Sequence, residues 1–216
     1  MIKGVIFDLD GVLVSTDELH FKAWKQLAKE LGIHGFTKED NMRQKGVSRM
    51  ESLEVVLEKA DQTYTLDEKV GLADRKNSYY VEYLQELTED AVLKDVVRTL
   101  TDLRERGISI AVGSASKNTP LILQKTALDS FIDHVSCGLD TAKSKPDPEV
   151  FYIAAEKLQL PPVECLVVED SAAGIQAAKA AKMKSLGVGS EYKELGADYE
   201  SYSLQSGVDW EIILQG

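Results

Sequence analysis

The sequence predicts an α/β fold: a parallel sheet, covered by helices on both faces, interrupted after its first strand by a helical insert. Three observations carry this. The short apolar run Val5-Ile6-Phe7 reads as a strand buried on both faces. From residue 16 to residue 88, helical patterns follow one another with no strand candidate. From Asp95 onward, short apolar runs alternate with helical stretches, the rhythm of parallel βα units. The opening strand has no partner nearby in the chain until residue 108. The expected organisation is therefore a core made of residues 1–15 and 89–216, with residues 16–88 as an inserted helical domain.

Each element has a local reason. Thr16 can cap a helix running from Asp17 or Glu18 to Leu31, ended by Gly32. Its apolar face is Leu19, Ala23, Leu27 and Leu31. Thr37-Lys38-Glu39-Asp40 opens another helix, and Ser48 to Lys59 a third, with Leu53, Val56 and Leu57 turned inward. Thr65-Leu66-Asp67-Glu68 is a capping box for a longer helix toward Leu87. Beyond Asp95 the reading is a helix over Val96 to Arg106, a strand from Ile108 to Val112, a helix from Pro120 to Leu128 and a short strand from Ile132 to Ser136. A helix from Glu149 to Leu158, a strand from Cys165 to Val168, a helix from Gly174 to Lys182 and a strand from Ser185 to Val188 follow. After Ser190 the pattern weakens, and Tyr199 to Ser206 reads as loop.

Composition narrows the function classes. The net charge of −11 disfavours nucleic acid and anionic membrane surfaces, which call for basic footprints. It leaves room for a phosphorylated small molecule, because charges beyond about 8 Å are screened and a local basic cluster decides binding. No apolar run reaches the length of a membrane span, and the N-terminus passes directly into strand pattern. Cys137 and Cys165 form no Cys-x-x-Cys unit and read as buried thiols. These features point to the cytoplasm; a monomer is expected, though composition does not bear on oligomeric state.

The chemistry begins at Asp8-Leu9-Asp10-Gly11. Alternate residues of an extended chain share a side, so both carboxylates sit together at a strand tip. Two anions that close need a cation or a proton between them. A solvated turn is the alternative for the tetrad alone. Ligands of open α/β sheets bind beyond the carboxyl ends of the strands. The other strand ends supply Ser114 with Ala115-Ser116-Lys117-Asn118, and Glu169-Asp170; the loop before residue 149 supplies Lys145. Asp8, Glu169 and Asp170 can hold Mg²⁺. Asp8 can attack phosphorus, Asp10 can exchange a proton, and Ser114 and Lys145 can stabilise the equatorial oxygens. In the insert, Lys45-Gly46-Val47-Ser48-Arg49 is a basic loop opening a helix, with Ser52 one turn on. Glycine allows close approach there and Arg49 can grip a phosphate through two parallel hydrogen bonds. A helix start with an exposed Arg is the alternative for this pentad.

These motifs together resemble the haloacid dehalogenase superfamily: Asp8-Leu9-Asp10-Gly11-Val12, Ser114, Lys145-Pro146 and Glu169-Asp170, in order. The resemblance implies a Rossmann-like core with a helical cap, Asp8 as nucleophile and Asp10 as acid-base residue. It implies one Mg²⁺ per chain, with Asp8, Asp10, Glu169 and Asp170 at the metal. The cap loop, His20 and Trp24, Arg75-Lys76-Asn77 and residues 114–118 are similar to the hexose-phosphate mutases of that superfamily. That likeness implies that Arg49, with Ser116 and Asn118, holds the phosphate remote from Asp8. It also implies that His20 and Lys76 place Asp10 as the cap closes, and that Thr16 works at the hinge. Ser15 departs from the Asp common in that branch, and Gln44 beside the basic loop bears on the sugar pocket. The implied activity interconverts β-D-glucose 1-phosphate and β-D-glucose 6-phosphate through an aspartyl phosphate and β-D-glucose 1,6-bisphosphate. The implied partners are hexose phosphates and a bisphosphate primer. A sugar-phosphate phosphatase is the alternative enzyme, a sugar-phosphate sensor the alternative without catalysis. No Gly-x-x-x-x-Gly-Lys-Ser/Thr loop is present for a nucleotide-driven kinase.

Overall fold

The computed structural model describes residues 1–204 and 207–216. The sheet is six-stranded and parallel throughout. Its strands are β1 (Gly4–Phe7), β2 (Ser109–Gly113), β3 (His134–Ser136), β4 (Cys165–Glu169), β5 (Lys184–Gly187) and β6 (Tyr199–Glu200), in the order β3-β2-β1-β4-β5-β6. The core helices are α5 (Val96–Glu105), α6 (Thr119–Lys125), α7 (Glu149–Lys157), α8 (Ala172–Ala180) and α9 (Trp210–Gln215). The insert holds α1 (Asp17–Glu30), α2 (Lys38–Met42), α3 (Arg49–Leu57) and α4 (Leu66–Leu84), with no strand among its residues.

Two-residue periodicity splits β1 between two cores. Val5 and Phe7 join Ile110, Val112, Leu166 and Val168 under α5 and α6. Ile6 joins Ala111, Val167 and the buried faces of α7 and α8 on the other side. The insert has a core of its own around Trp24, Leu27, Phe36, Leu53, Val56 and Leu72. Yet Ala23 of α1 and Tyr80 and Leu84 of α4 belong to the sheet's core, so the insert's hinge end is packed into the α/β body.

In the insert's four helices the caps behave as the residue types dictate, with one exception. Thr37, Ser48 and Thr65 each form a capping box with Asp40, Glu51 and Glu68. Thr16 precedes α1, as expected, but its side chain makes no capping bond. Its hydroxyl turns instead to Asp10. The tail differs from its loop reading. Tyr199–Glu200 adds a two-residue edge strand beside β5, because Asp198 accepts from the Ser185 amide at 2.9 Å and the Ser201 amide donates to Gly187 at 2.9 Å. Gln205 and Ser206, the end of that reading, lie outside the described residues. α9 then returns to β1, where the Ile2 amide donates to the Leu214 carbonyl at 2.9 Å. Both cysteines are buried and free, as read. Among the described residues, no helix is long and apolar enough to cross a membrane.

Candidate active site

The carboxyl ends of β1, β2 and β4 meet under the cap and form one wall of a cavity of about 560 Å³. The opposite wall is the loop at 45–49 with α1 and α4. Asp8 and Asp10 follow β1, the central strand. Gly11 lets the chain turn, with φ +83°, and any side chain there would strike the Asp170 carboxylate.

Lys145 is the charge at the centre. Its side chain is 1% exposed, and its ammonium lies 2.5 Å from Asp8 Oδ1 and 2.5 Å from Glu169 Oε1. Burial alone would lower its pKa, but Asp8 and Glu169 outweigh burial and raise it, so it stays a cation. Asp8 is pushed well above the usual carboxylate range by burial, with Lys145 pulling down and Glu169 and Asp170 pushing further up. Asp170 is pushed up to about 6 by burial and by Glu169, against the pull of Lys45. The other Glu169 oxygen accepts from the Ser171 amide and hydroxyl, both at 2.9 Å.

This donor set suits a divalent cation. Oxygens of Asp8, Glu169 and Asp170 lie within 4.8 Å of one another, a cluster of hard ligands that burial and mutual repulsion leave short of positive charge. Asp10 stands apart from that cluster. Its carboxylate accepts from the Thr16 hydroxyl, which in turn accepts from the Tyr80 hydroxyl at 3.1 Å. The Asp10 carboxylate is held toward the cap hinge, not toward Asp170, so it is not one of the three clustered carboxylates. Burial raises its pKa to about 6, and the Thr16 hydrogen bond moderates the rise. That is a carboxyl group poised to give and take a proton near neutrality.

The loop after β2 is shaped by its own serines. Ser114 Oγ accepts from the Ser116 amide at 3.1 Å, and Ser116 Oγ accepts from the Asn118 amide at 3.2 Å. Asn118 Nδ2 donates to Asn77 Oδ1 across the cleft at 2.9 Å, tying core to cap. Ala115 and Lys117 line the same space.

On the cap side, Trp24, Lys45, Gly46, Val47, Ser48, Arg49, Ser52 and Lys76 all face the cavity. Lys45 reaches across to Asp170 at 3.2 Å and to Asp17 at 3.4 Å. Gly46, at φ +72°, sits against Ser171 so closely that a Cβ would come within 2.6 Å of its hydroxyl. Lys76, 3% exposed, lies with Nζ 2.9 Å from His20 Nδ1; as an ammonium it donates there, with the His20 proton on Nε2. Burial, Lys76 and Arg49 drive the His20 pKa well down and keep the ring neutral. The site thus gathers the residues the sequence singles out, with Thr16 and Glu169 one layer behind the cavity wall. Two further members carry no sequence signature: Tyr80, which stacks on His20 at 4.0 Å, and Asp74. Tyr80 and Lys76 lie four residues apart on α4, and that helical spacing is the signal that joins them.

A parallel sheet with acidic strand ends and a helical cap inserted after β1 places a buried carboxylate cluster and a buried lysine where phosphoryl transfer could take place. The chain belongs to the haloacid dehalogenase-like hydrolase family, which it matches over residues 2–182. It is 42% identical over 199 residues to a β-phosphoglucomutase of Bacillus subtilis strain 168, spanning 91% of this chain and 88% of that protein. It is 28% identical over 188 residues to a phosphorylated carbohydrates phosphatase of Thermotoga maritima, spanning 86% of this chain and 84% of that one. The crystal structure of a β-phosphoglucomutase from Clostridium difficile matches with a TM-score of 0.91 at 35% identity, over 100% of this chain and 96% of that one.

Proposed function

We propose that the chain is a β-phosphoglucomutase that interconverts β-D-glucose 1-phosphate and β-D-glucose 6-phosphate through β-D-glucose 1,6-bisphosphate. The observation that carries the reading is one cavity with anion-binding groups at both ends. Lys145 and Ser114 stand beside Asp8 on the core, and Arg49 stands on the cap. A phosphatase needs the first end only; a mutase needs both.

Asp8 is the nucleophile. Its Oδ1 is held by Lys145, and its other oxygen can attack phosphorus to give an aspartyl phosphate. Asp10 protonates the departing sugar oxygen and, as carboxylate, later takes the proton of the attacking hydroxyl. Thr16 and Tyr80 hold Asp10 for this exchange. Ser114 and Lys145 stabilise the charge on the transferring group. Arg49 holds the remote phosphate and so fixes which sugar oxygen faces Asp10. Mg²⁺, held by Asp8, Glu169 and Asp170, would supply charge neutralisation at the phosphoryl group. Contacts from Lys45, Gly46 and Asn77 onto the core close the cavity, which keeps water from the acyl phosphate. A cytoplasmic monomer is the form we propose.

The test is incubation with β-glucose 1-phosphate, Mg²⁺ and a trace of the bisphosphate, comparing glucose 6-phosphate with free phosphate. Glucose 6-phosphate should dominate; stoichiometric free phosphate would make the enzyme a sugar-phosphate phosphatase. Arg49→Ala should lower sugar-phosphate turnover about ten- to hundredfold, the worth of lost charged hydrogen bonds at ~1.5–3 kcal/mol. Phosphorylation of Asp8 by acetyl phosphate should persist in that variant.

A further inference from the structure

Arg49 and its surroundings carry one step more, resting on the two-ended reading above. Arg49 opens α3, and Asp74 lies midway along α4; both line the cavity. Arg49 Nη1 is 3.6 Å from Asp74 Oδ1. That is too long for a hydrogen bond but close enough for the modest attraction of a solvated ion pair. Among the described residues, this is the one ion pair Arg49 makes. The contrast with Arg43 is direct. Arg43 is clamped on Glu58 by two parallel bonds of 2.7 Å and 2.7 Å, leaving its fork fully used. Arg49 is 22% exposed and faces the cavity, its donors uncommitted among the described residues, whereas Asp74 is 73% exposed and solvated. The neighbouring cation, Lys76, feels Arg49 as a like charge. Asp74 is thus the anion that neutralises an otherwise cationic cap wall while no phosphate is there.

We propose that Asp74 is a displaceable counter-ion of Arg49 that sets the affinity for the phosphate remote from Asp8. An arriving phosphate takes the Arg49 donors and meets the Asp74 carboxylate as a like charge nearby. Both effects weaken the hold on the remote end. A mutase gains from that weakness, since its bisphosphate must leave the cap, turn round and bind again; a grip too firm would trap it. Asp74 acts through Arg49 and the local field; it is a residue that tunes specificity and release.

The experiment is calorimetric titration of the Mg²⁺-loaded enzyme with glucose 6-phosphate, at low and high salt. Asp74→Asn should tighten binding about two- to fivefold, the range of an exposed ion pair, and the gain should shrink as salt rises. Asp74→Glu should return the affinity toward wild type. In an Arg49→Ala background the same Asp74→Asn change should lose most of its effect. Unchanged or weaker binding in Asp74→Asn overturns the proposal, since it would make Asp74 inert or a positioning residue for Arg49. An equal gain with and without Arg49 overturns it too, because the effect would then be bulk charge. Should the wild type not bind glucose 6-phosphate, or Arg49→Ala bind it as tightly, the two-ended reading itself fails and takes the counter-ion with it. Wild-type binding that Arg49→Ala weakens, with Asp74→Asn silent, sinks the counter-ion alone.

Discussion

Single side chains in this site are defined by what burial does to their charge. Lys145 remains an ammonium because two carboxylates pin it; among the described residues, Lys76 has no such anion in contact. Its neighbours are the neutral His20 and the rings of Trp24 and Tyr80, each 4.6 Å from the ammonium. Burial, then Arg49, lower its pKa to about 7, with Asp10 pulling the other way. The sign of the consequence is fixed. An unfolded Lys holds its proton to about 10.4, so between about 7 and that value the unfolded chain binds more protons than the folded one. Stability from this group therefore rises with pH across that window, and the penalty for the buried ammonium is fully present below it. Lys76→Met should raise the melting temperature relative to wild type more at about pH 6 than at about pH 9.5. Melting scans at the two pH values check this, and an equal difference at both would show Lys76 to be charged throughout. At this scale the sequence is informative where chemistry leaves a spacing. Asp8 and Asp10 are legible because alternate residues share a strand face. Thr16 is not: its place before α1 points to a helix cap, and only the fold brings Asp10 within reach of its hydroxyl.

Elements with strong local signals are legible in the chain, and those held only by tertiary contacts are not. Three cap helices announce themselves through reciprocal capping boxes, a contact that spans four residues. β6 has two residues, too few for any alternation, and exists because Asp198 and Ser201 bond to β5. The loop between α2 and α3 lies between these cases. Its glycine and basic residues suggest an anion site, but its seat on the core is visible only in the structure. Gly46 at φ +72° rests on Ser171, the residue that caps α8 and binds Glu169. Gly46→Ala would incur about 1–2 kcal/mol for the left-handed backbone and would press a methyl group onto Ser171. Opening the cap relieves the clash but not the backbone strain. The expected result is a modest fall in melting temperature, a few degrees at most, with a larger loss of sugar-phosphate turnover. Asp8 phosphorylation by acetyl phosphate, which needs no closed cap, should suffer less. Parallel assays of the two reactions check this; equal losses would mean that Gly46 serves the fold of the loop and not its closure.

Over the whole molecule, the sheet order explains where the site is. β1 is flanked by β2 on one side and β4 on the other, so the chain's direction of travel reverses there and opens a crevice at its carboxyl end. The insert leaves the core at that crevice and returns to it, which puts the cap's hinge beside Asp10. The same connection decides how the protein unfolds. A cap with its own core around Trp24 could melt alone. Here Ala23, Tyr80 and Leu84 sit within the sheet's core, and Ala23 is the chain neighbour of Trp24. Pulling α1 and α4 apart in the cap would expose Tyr80 and Leu84 to water, and burying each such large side chain is worth about 1.5–3 kcal/mol. That coupling favours one transition over two. The two tryptophans make the test direct, since Trp24 reports on the cap and Trp210, on α9, reports on the α/β body. Trp210→Phe leaves the cap reporter, and Trp24→Phe leaves the core reporter. In each variant, urea unfolding followed by its remaining tryptophan should coincide with unfolding followed by far-ultraviolet circular dichroism. An earlier fluorescence midpoint for Trp24 would mean that the cap opens and melts as a separate unit, with its packing onto the sheet too weak to hold the two bodies together.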